Sequence, residues 1–250
     1  MKIYALNIAL LLLCVLAFTF VQAPGKWYLI TAFVALYLLF LFFAVKNVQL
    51  RFFVPYVNRT RQGVLLTFDD GPVTGKTVET AQILSRHNVH GLFFLIGERA
   101  QSHPDLVQKL VELGHAVGNH SYSHPNRFSI MRTDEVTQEI QKGEEVIRSL
   151  CHQEIVPFRV PFGLTNPRIG RAVRRLRVLN IGWNRRTFDT MRSPDAVLQL
   201  LKNRLRPRDI VLLHDSSAFC AEKLDAFLQW AGQQNIKFED PHAFLQEHHS

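Results

Sequence analysis

The chain opens with two long apolar stretches and then changes character. Ile3 to Val21 and Trp27 to Val45 carry no charge and almost no polar residue, and each is about as long as a bilayer-crossing helix. The pattern predicts two transmembrane helices, about 3–21 and 27–45, joined by the turn Gln22-Ala23-Pro24-Gly25-Lys26. Two other readings compete. One is a cleaved signal peptide, since Lys2 precedes the first run and Val21-Gln22-Ala23 ends in a small residue; the other is a core helix in place of the second span. Pro24 at the cleavage point and the second apolar run count against cleavage, and Trp27 and Tyr28 suit an interfacial anchor.

Beyond a juxtamembrane linker, 46–62, the pattern alternates. Short continuous apolar runs at Val64–Phe68, Leu92–Ile96, Ala116–Gly118, Ile155–Phe158, Val178–Trp183 and Ile210–Leu213 read as strands buried on both faces. Between them, apolar residues recur at helical spacing, as in Leu106, Val107, Leu110 and Val111, or Val136, Ile140, Ile147 and Leu150. Asn166-Pro167 and Ser193-Pro194 each place a capping side chain before a proline at the first helical position. Strand and helix in alternation predict an α/β domain over 63–250, with a parallel sheet either closed as a barrel or open and doubly wound.

Charge adds an orientation. Lys2 precedes the first apolar run and Lys26 lies between the two, whereas Lys46, Arg51, Arg59 and Arg61 follow the second. Basic residues flanking a span favour the cytoplasmic side, so the C-terminal part is expected on the cytoplasmic face, in contact with membrane lipids. The net charge of +8 becomes +6 when Lys2 and Lys26 are set aside. The cluster Arg168, Arg171, Arg174, Arg175 and Arg177 reads first as a solvated helix face and second as a contact for anionic lipid or a phosphate-bearing substrate. No aromatic interleaving accompanies it, so nucleic acid is not an expected partner. Cys14, Cys151 and Cys220 have neither metal nor redox spacing and read as reduced structural thiols.

Candidate chemistry begins at "LLTFDDGPVTGKT", residues 65–77. Its Gly-Lys-Thr suggests a phosphate loop, yet only three residues separate Gly71 from Gly75, Pro72 removes a backbone donor, and Asp69 and Asp70 would repel phosphate. A metal reading uses more of the chain. His120 and His124 are four apart, a spacing that brings two imidazoles to one face of a helical turn. With one carboxylate of Asp69-Asp70 they form a three-ligand set that leaves a position open for water. The expected strand ends supply further polar groups: Asn119 and His120, Arg159, Asp189 and His214. In barrels of alternating strands and helices, catalytic groups gather at the C-terminal ends of strands.

"TFDDGP", "HSYSH", "FRVPFG", "WNRRTFD" and "LLH", in that order, resemble the five motifs of the polysaccharide deacetylases with a NodB-like domain, over about residues 62–247. The resemblance implies an irregular (β/α) barrel and a metal-dependent hydrolase that removes an N-acyl group from an amino sugar. It assigns Asp69 as the base acting on the attacking water and Asp70, His120 and His124 as ligands of a divalent metal, with zinc as the default and cobalt or manganese as alternatives. It pairs Arg159 with Asp69, makes His214 the acid for the leaving amine, and has Asp189 orient that imidazole. Phe162, Gly163, Trp183, Arg186 and Leu212 fall at substrate-facing positions, and a backbone N–H after His124 or near Phe162 is the expected oxyanion donor.

The motifs also depart from the family. Arg186 stands where an acid usually begins the fourth motif, Thr190 replaces a tryptophan, and Phe162 stands where many relatives have tyrosine. These changes, with the expected cytoplasmic face, favour a lipid-linked or membrane-associated N-acylated amino sugar. A membrane-anchored peptidoglycan or exported-polysaccharide deacetylase is the alternative. A non-catalytic carbohydrate-binding membrane protein and a nucleotide hydrolase are the rivals from other classes.

Overall fold

The computed structural model describes residues 2–22, 24–46 and 50–249. Helices α1 (Lys2–Phe20) and α2 (Gly25–Lys46) pack on each other, and Phe18 meets Trp27 edge to face. Among the described residues, Gly25–Lys46 is the one helix long and apolar enough to cross a bilayer, judged by length and composition. A shorter apolar helix, Ala5–Phe20, is found within α1. Of the two expected spans, one stands as a candidate among the described residues. Ala23 of the expected turn lies outside the described residues.

The C-terminal end of α2 is fastened to the rest of the molecule. Thr165 donates its N–H to the Val45 carbonyl at 3.0 Å, and Ala44 is buried in a core cluster with Phe53, Val54 and Tyr56. Part of the stretch expected to be a linker is therefore core, since its aromatics have apolar partners such as Ile169 and Phe158 in the same cluster.

The central sheet is built from β1 (Leu65–Gly71), β2 (Leu92–Leu95), β3 (Ala116–Asn119), β4 (Arg185–Arg186) and β5 (Ile210–His214). All its pairings are parallel, in the spatial order β3-β2-β1-β5-β4. Single parallel bridges from Asn119 to Phe158 and from Phe158 to Asn180 continue the curl beyond β3, and the chain then runs from Asn180 to β4 at the other edge. The result is a parallel five-stranded sheet extended at one edge by isolated bridges. Two runs expected as strands, Ile155–Phe158 and Val178–Trp183, survive only as these bridges. Pro157 carries no N–H, so a regular ladder cannot persist in the first of them.

The first of the connecting helices are α3 (Thr77–Arg86), α4 (Gly97–Ser102), α5 (Pro104–Glu112), α6 (Thr133–Cys151) and α7 (Pro167–Leu176). They are followed by α8 (Pro194–Arg204), α9 (Ala218–Glu222), α10 (Leu224–Gln233) and α11 (Pro241–His249). Alternation along β1 sorts the faces. Leu66 and Phe68 join the cluster under α3, α5, α8 and α10, whereas Leu65 joins the opposite cluster with Phe94, Phe158 and Trp183. Thr67 and Asp69 share the parity of Leu65. The caps expected at Asn166 and Ser193 form: Asn166 Oδ1 accepts from Arg168 and Ile169, and Ser193 Oγ from Ala196.

The arginines of α7 largely brace neighbours. Arg174 donates to the Phe53 carbonyl at 3.0 Å, Arg168 to the Ile130 carbonyl at 3.0 Å, and Arg175 reaches Asp134 on α6 at 3.1 Å. That disposition suits the reading of a helix face rather than a ligand cluster.

A buried histidine ties the fold to pH. His115, just before β3, accepts from the Gly91 N–H through Nδ1 at 3.1 Å and donates from Nε2 to the Ala81 carbonyl at 3.0 Å, so the neutral ring has no place for a second proton. Burial pulls its pKa down to about 4, against the Ala81 carbonyl and with help from His90 and His242. The folded value lies below the unfolded one, so stability is fully present above about pH 6.5 and is lost as pH falls towards 4. About 2 kcal/mol is expected to go by pH 5. A His115→Gln variant should show a shallower fall of unfolding midpoint between pH 7 and 5 than the wild type, and parallel curves would clear His115 of the effect.

Candidate active site

The groups that stood at expected strand ends converge on one cleft. Parallel pairing sets Asp69 on β1 beside His214 on β5, and Arg186 on β4 beside Leu212. The cleft, about 240 Å3, is lined by Asp69, Asp70, His120, His124 and His214 together with Phe162, Gly163, Trp183, Thr190, Arg186 and Leu212. Arg159 and Asp189 lie behind this lining, both buried.

Arg159 is fully buried, and its guanidinium is almost fully engaged. It donates to Asp69 Oδ1 and Thr67 Oγ1 at 2.7 Å each, to the Ile181 carbonyl at 3.1 Å and to the Gly182 carbonyl at 3.0 Å, with Phe94 beneath its plane at 4.0 Å. Thr67 in turn donates to the Val211 carbonyl at 2.6 Å, so the arginine is fixed from two strands. Asp69 is thereby held by one oxygen, while its Oδ2 stands 3.7 Å from His120 Nε2.

Three donors face one point. Single ligand atoms of Asp70, His120 and His124 lie within 4.8 Å of one another. Asp70 Oδ1 is 3.5 Å from His120 Nε2 and 3.4 Å from His124 Nε2. His120 Nδ1 lies 2.9 Å from the Arg159 carbonyl, which can only accept, so the proton is on Nδ1 and the Nε2 lone pair faces the carboxylate. Burial lowers the pKa of His124 to about 4, and the neighbouring His120 adds to this against the pull of Asp70 and Asp69, leaving its ring neutral. Two neutral imidazoles and a carboxylate oxygen are a donor set that fits a divalent zinc-like ion.

The two histidines do not meet on a helical turn, as their spacing suggested. They sit in the loop after β3, where Ser121 and His124 have φ of 68° and 48°. Glu139 of α6 holds the loop by accepting from Ser123 N–H at 2.9 Å and its hydroxyl at 2.8 Å, and Ser121 Oγ accepts from His124 N–H at 3.1 Å. Close approach of α6 depends on Gly143, where a Cβ would lie 2.4 Å from Asn119 Oδ1. Asp70 and Phe162 are also left-handed, at φ 69° and 59°. Strained non-glycine residues gathered at one cleft are a common mark of a working site.

On the far wall, His214 Nδ1 donates to Asp189 Oδ1 at 2.9 Å, and Asp189 Oδ2 accepts from the His214 N–H at 2.7 Å. Burial opposes charge on this imidazole. The Asp189 hydrogen bond and the charges of Asp69, Asp189 and Asp70 outweigh it, raising His214 to about 9. A cation between the ligands would cancel part of that carboxylate field.

Pro125 follows His124 and has no N–H, which removes one expected oxyanion donor and leaves the segment around Phe162. The Gly-Lys-Thr stretch is structural: Lys76 precedes α3 and reaches the Ser216 carbonyl at 3.2 Å, while Thr77 donates to buried Asp215. Thr67 and Thr187, which secure Arg159 and Asp189, escaped sequence reading. A period-two count back from Asp69 was the one signal for Thr67.

The chain is similar to known proteins in sequence and in fold. A family model described as polysaccharide deacetylase matches residues 56–181. The chain is 30% identical over 162 residues to a chitooligosaccharide deacetylase of Azorhizobium caulinodans, covering 64% of this chain and 76% of that one. It is 32% identical over 154 residues to a peptidoglycan-N-acetylglucosamine deacetylase of Bacillus cereus, covering 61% and 56%. The crystal structure of a CE4 family pseudoenzyme from Bacillus anthracis superposes with a TM-score of 0.67 at 26% identity, covering 76% of this chain and 69% of that one.

Proposed function

This chain belongs to the polysaccharide deacetylase family, and from that premise we propose a metal-dependent hydrolase that removes an N-acyl group, acetyl or formyl, from an amino sugar. One observation carries the reading: the Arg159–Asp69 and Asp189–His214 pairs flank the Asp70–His120–His124 donor set in a single cleft. A divalent ion held by those three residues supplies Lewis acidity towards the amide oxygen and eases ionisation of water. Asp69, oriented by Arg159, takes the proton of the attacking water. His214, oriented by Asp189, gives a proton to the departing nitrogen. A backbone N–H near Phe162 faces the oxygen that gains charge, while Trp183, Leu212, Gly163 and Arg186 shape the sugar pocket.

For substrate we favour a lipid-linked amino sugar. The supports are the docking of α2 against Thr165, close in sequence to Phe162 of the cleft, and the basic residues after α2, which suit a catalytic part on the cytoplasmic face with α1 and α2 as its anchor. A cell-wall or exported polysaccharide is the second reading, favoured by what the relatives act on.

Amine release from N-acetylated and N-formylated sugar lipids, and from chitooligosaccharide, tests both. Chelator should abolish release and one divalent ion per chain should restore it, with bound metal measured by atomic emission. Protease added outside sealed spheroplasts should leave residues 63–250 intact. Digestion there would move the choice to the second reading, and metal bound without amine release from any substrate would leave a carbohydrate-binding protein.

A further inference from the structure

Next to the active-site cleft lies a second one that no role above uses. It measures about 460 Å3 and is lined by Arg185, Arg186, Arg192, Arg204, Asn203 and Gln199. Arg186 lines both clefts, so the two share a wall. The guanidinium groups of Arg186 and Arg192 lie 4.7 Å and 5.3 Å from the centre of the same ring, Phe188, so one aromatic holds both arginines of this lining. Arg204 adds a third from the last turn of α8.

The acids nearby are committed elsewhere. Asp209 is held by Arg185 at 2.9 Å, and Asp195 by Lys223 at 2.7 Å. Among the described residues no ion pair joins a carboxylate to Arg186, Arg192 or Arg204. Guanidinium forks that line one cleft without a carboxylate partner suit the oxygens of a phosphate, each able to make paired charge-assisted hydrogen bonds. We infer that this cleft binds a phosphate or diphosphate group carried by the sugar whose N-acyl group occupies the adjoining site. The inference rests on the amino-sugar reading of that site. It gives Arg186, which lines both clefts, the task of joining the two subsites.

The test uses the full chain in detergent, stripped of metal by chelator, with inorganic pyrophosphate as the probe in a calorimetric titration. An Arg192→Gln/Arg204→Gln variant should bind roughly tenfold to a hundredfold more weakly than wild type. Equal binding by the two proteins, or none by wild type, overturns the proposal. Displacement of the probe by soluble N-acetylglucosamine 1-phosphate supports it with a soluble substrate. Displacement only by the same sugar phosphate on a polyprenyl chain, in nanodiscs, supports it with a membrane one, and displacement by neither overturns it. Because the probe is read on metal-free protein, absence of amine release from the metal-loaded protein with probe binding intact counts against the hydrolase reading alone and leaves this cleft standing.

Discussion

Replacing Asp69 by asparagine is expected to lower amide hydrolysis by roughly 10²- to 10⁴-fold, the usual contribution of a positioned base, with metal content unchanged. The substitution is close to isosteric, and the asparagine Oδ1 can still accept from Arg159, where Asp69 now accepts at 2.7 Å. What is lost is the ability to take a proton. Asp69 has a single face towards the cleft, since one oxygen is bound to the arginine and the other looks towards His120. The measurement is turnover for amine release beside metal stoichiometry. Unchanged turnover, or a loss that follows a loss of metal, would remove Asp69 from the base role.

Arg159→Met should be the most destabilising single change in the molecule, at about 3–5 kcal/mol, the range for removing one partner of a buried ion pair. Four acceptors lose their donor at once: Asp69, Thr67 and the Ile181 and Gly182 carbonyls. Phe94 and Trp183 lose the guanidinium plane packed over them. Arg159→Lys tests the cause, because a single ammonium on a flexible stem cannot span acceptors on both sides of the fork and should recover only part of the stability. Both are read from denaturant midpoints of the purified chain. An Arg159→Met variant within 1 kcal/mol of wild type would mean that the network carries little of the fold.

Some of this was legible before any coordinates. Val64–Phe68, Leu92–Ile96 and Ile210–Leu213 are runs of apolar residues that only a sheet covered on both faces accommodates, and they became β1, β2 and β5. The polar residues closing those runs, Asp69-Asp70 and His214, mark strand ends for the same reason. Ile155–Phe158 and Val178–Trp183 misled because apolar composition reports burial and not hydrogen bonding; the first is buried and the second is buried from Asn180 on, yet each contributes only isolated bridges. The His120–His124 spacing was informative about convergence but not about its cause, which is a loop held by Glu139.

The sequence by itself determined that Asp69-Asp70 and His214 end buried strands, and which residue types are available for acid, base and ligand work. Those properties belong to single positions and their near neighbours. Tertiary structure alone decided that Asp69 stands beside His214, that Arg159 reaches under β1 to hold it, and that Arg186, Arg192 and Arg204 share one cleft. These are consequences of parallel pairing across helical crossovers, where the partner of a residue is set by how the whole sheet closes rather than by anything within reach along the chain.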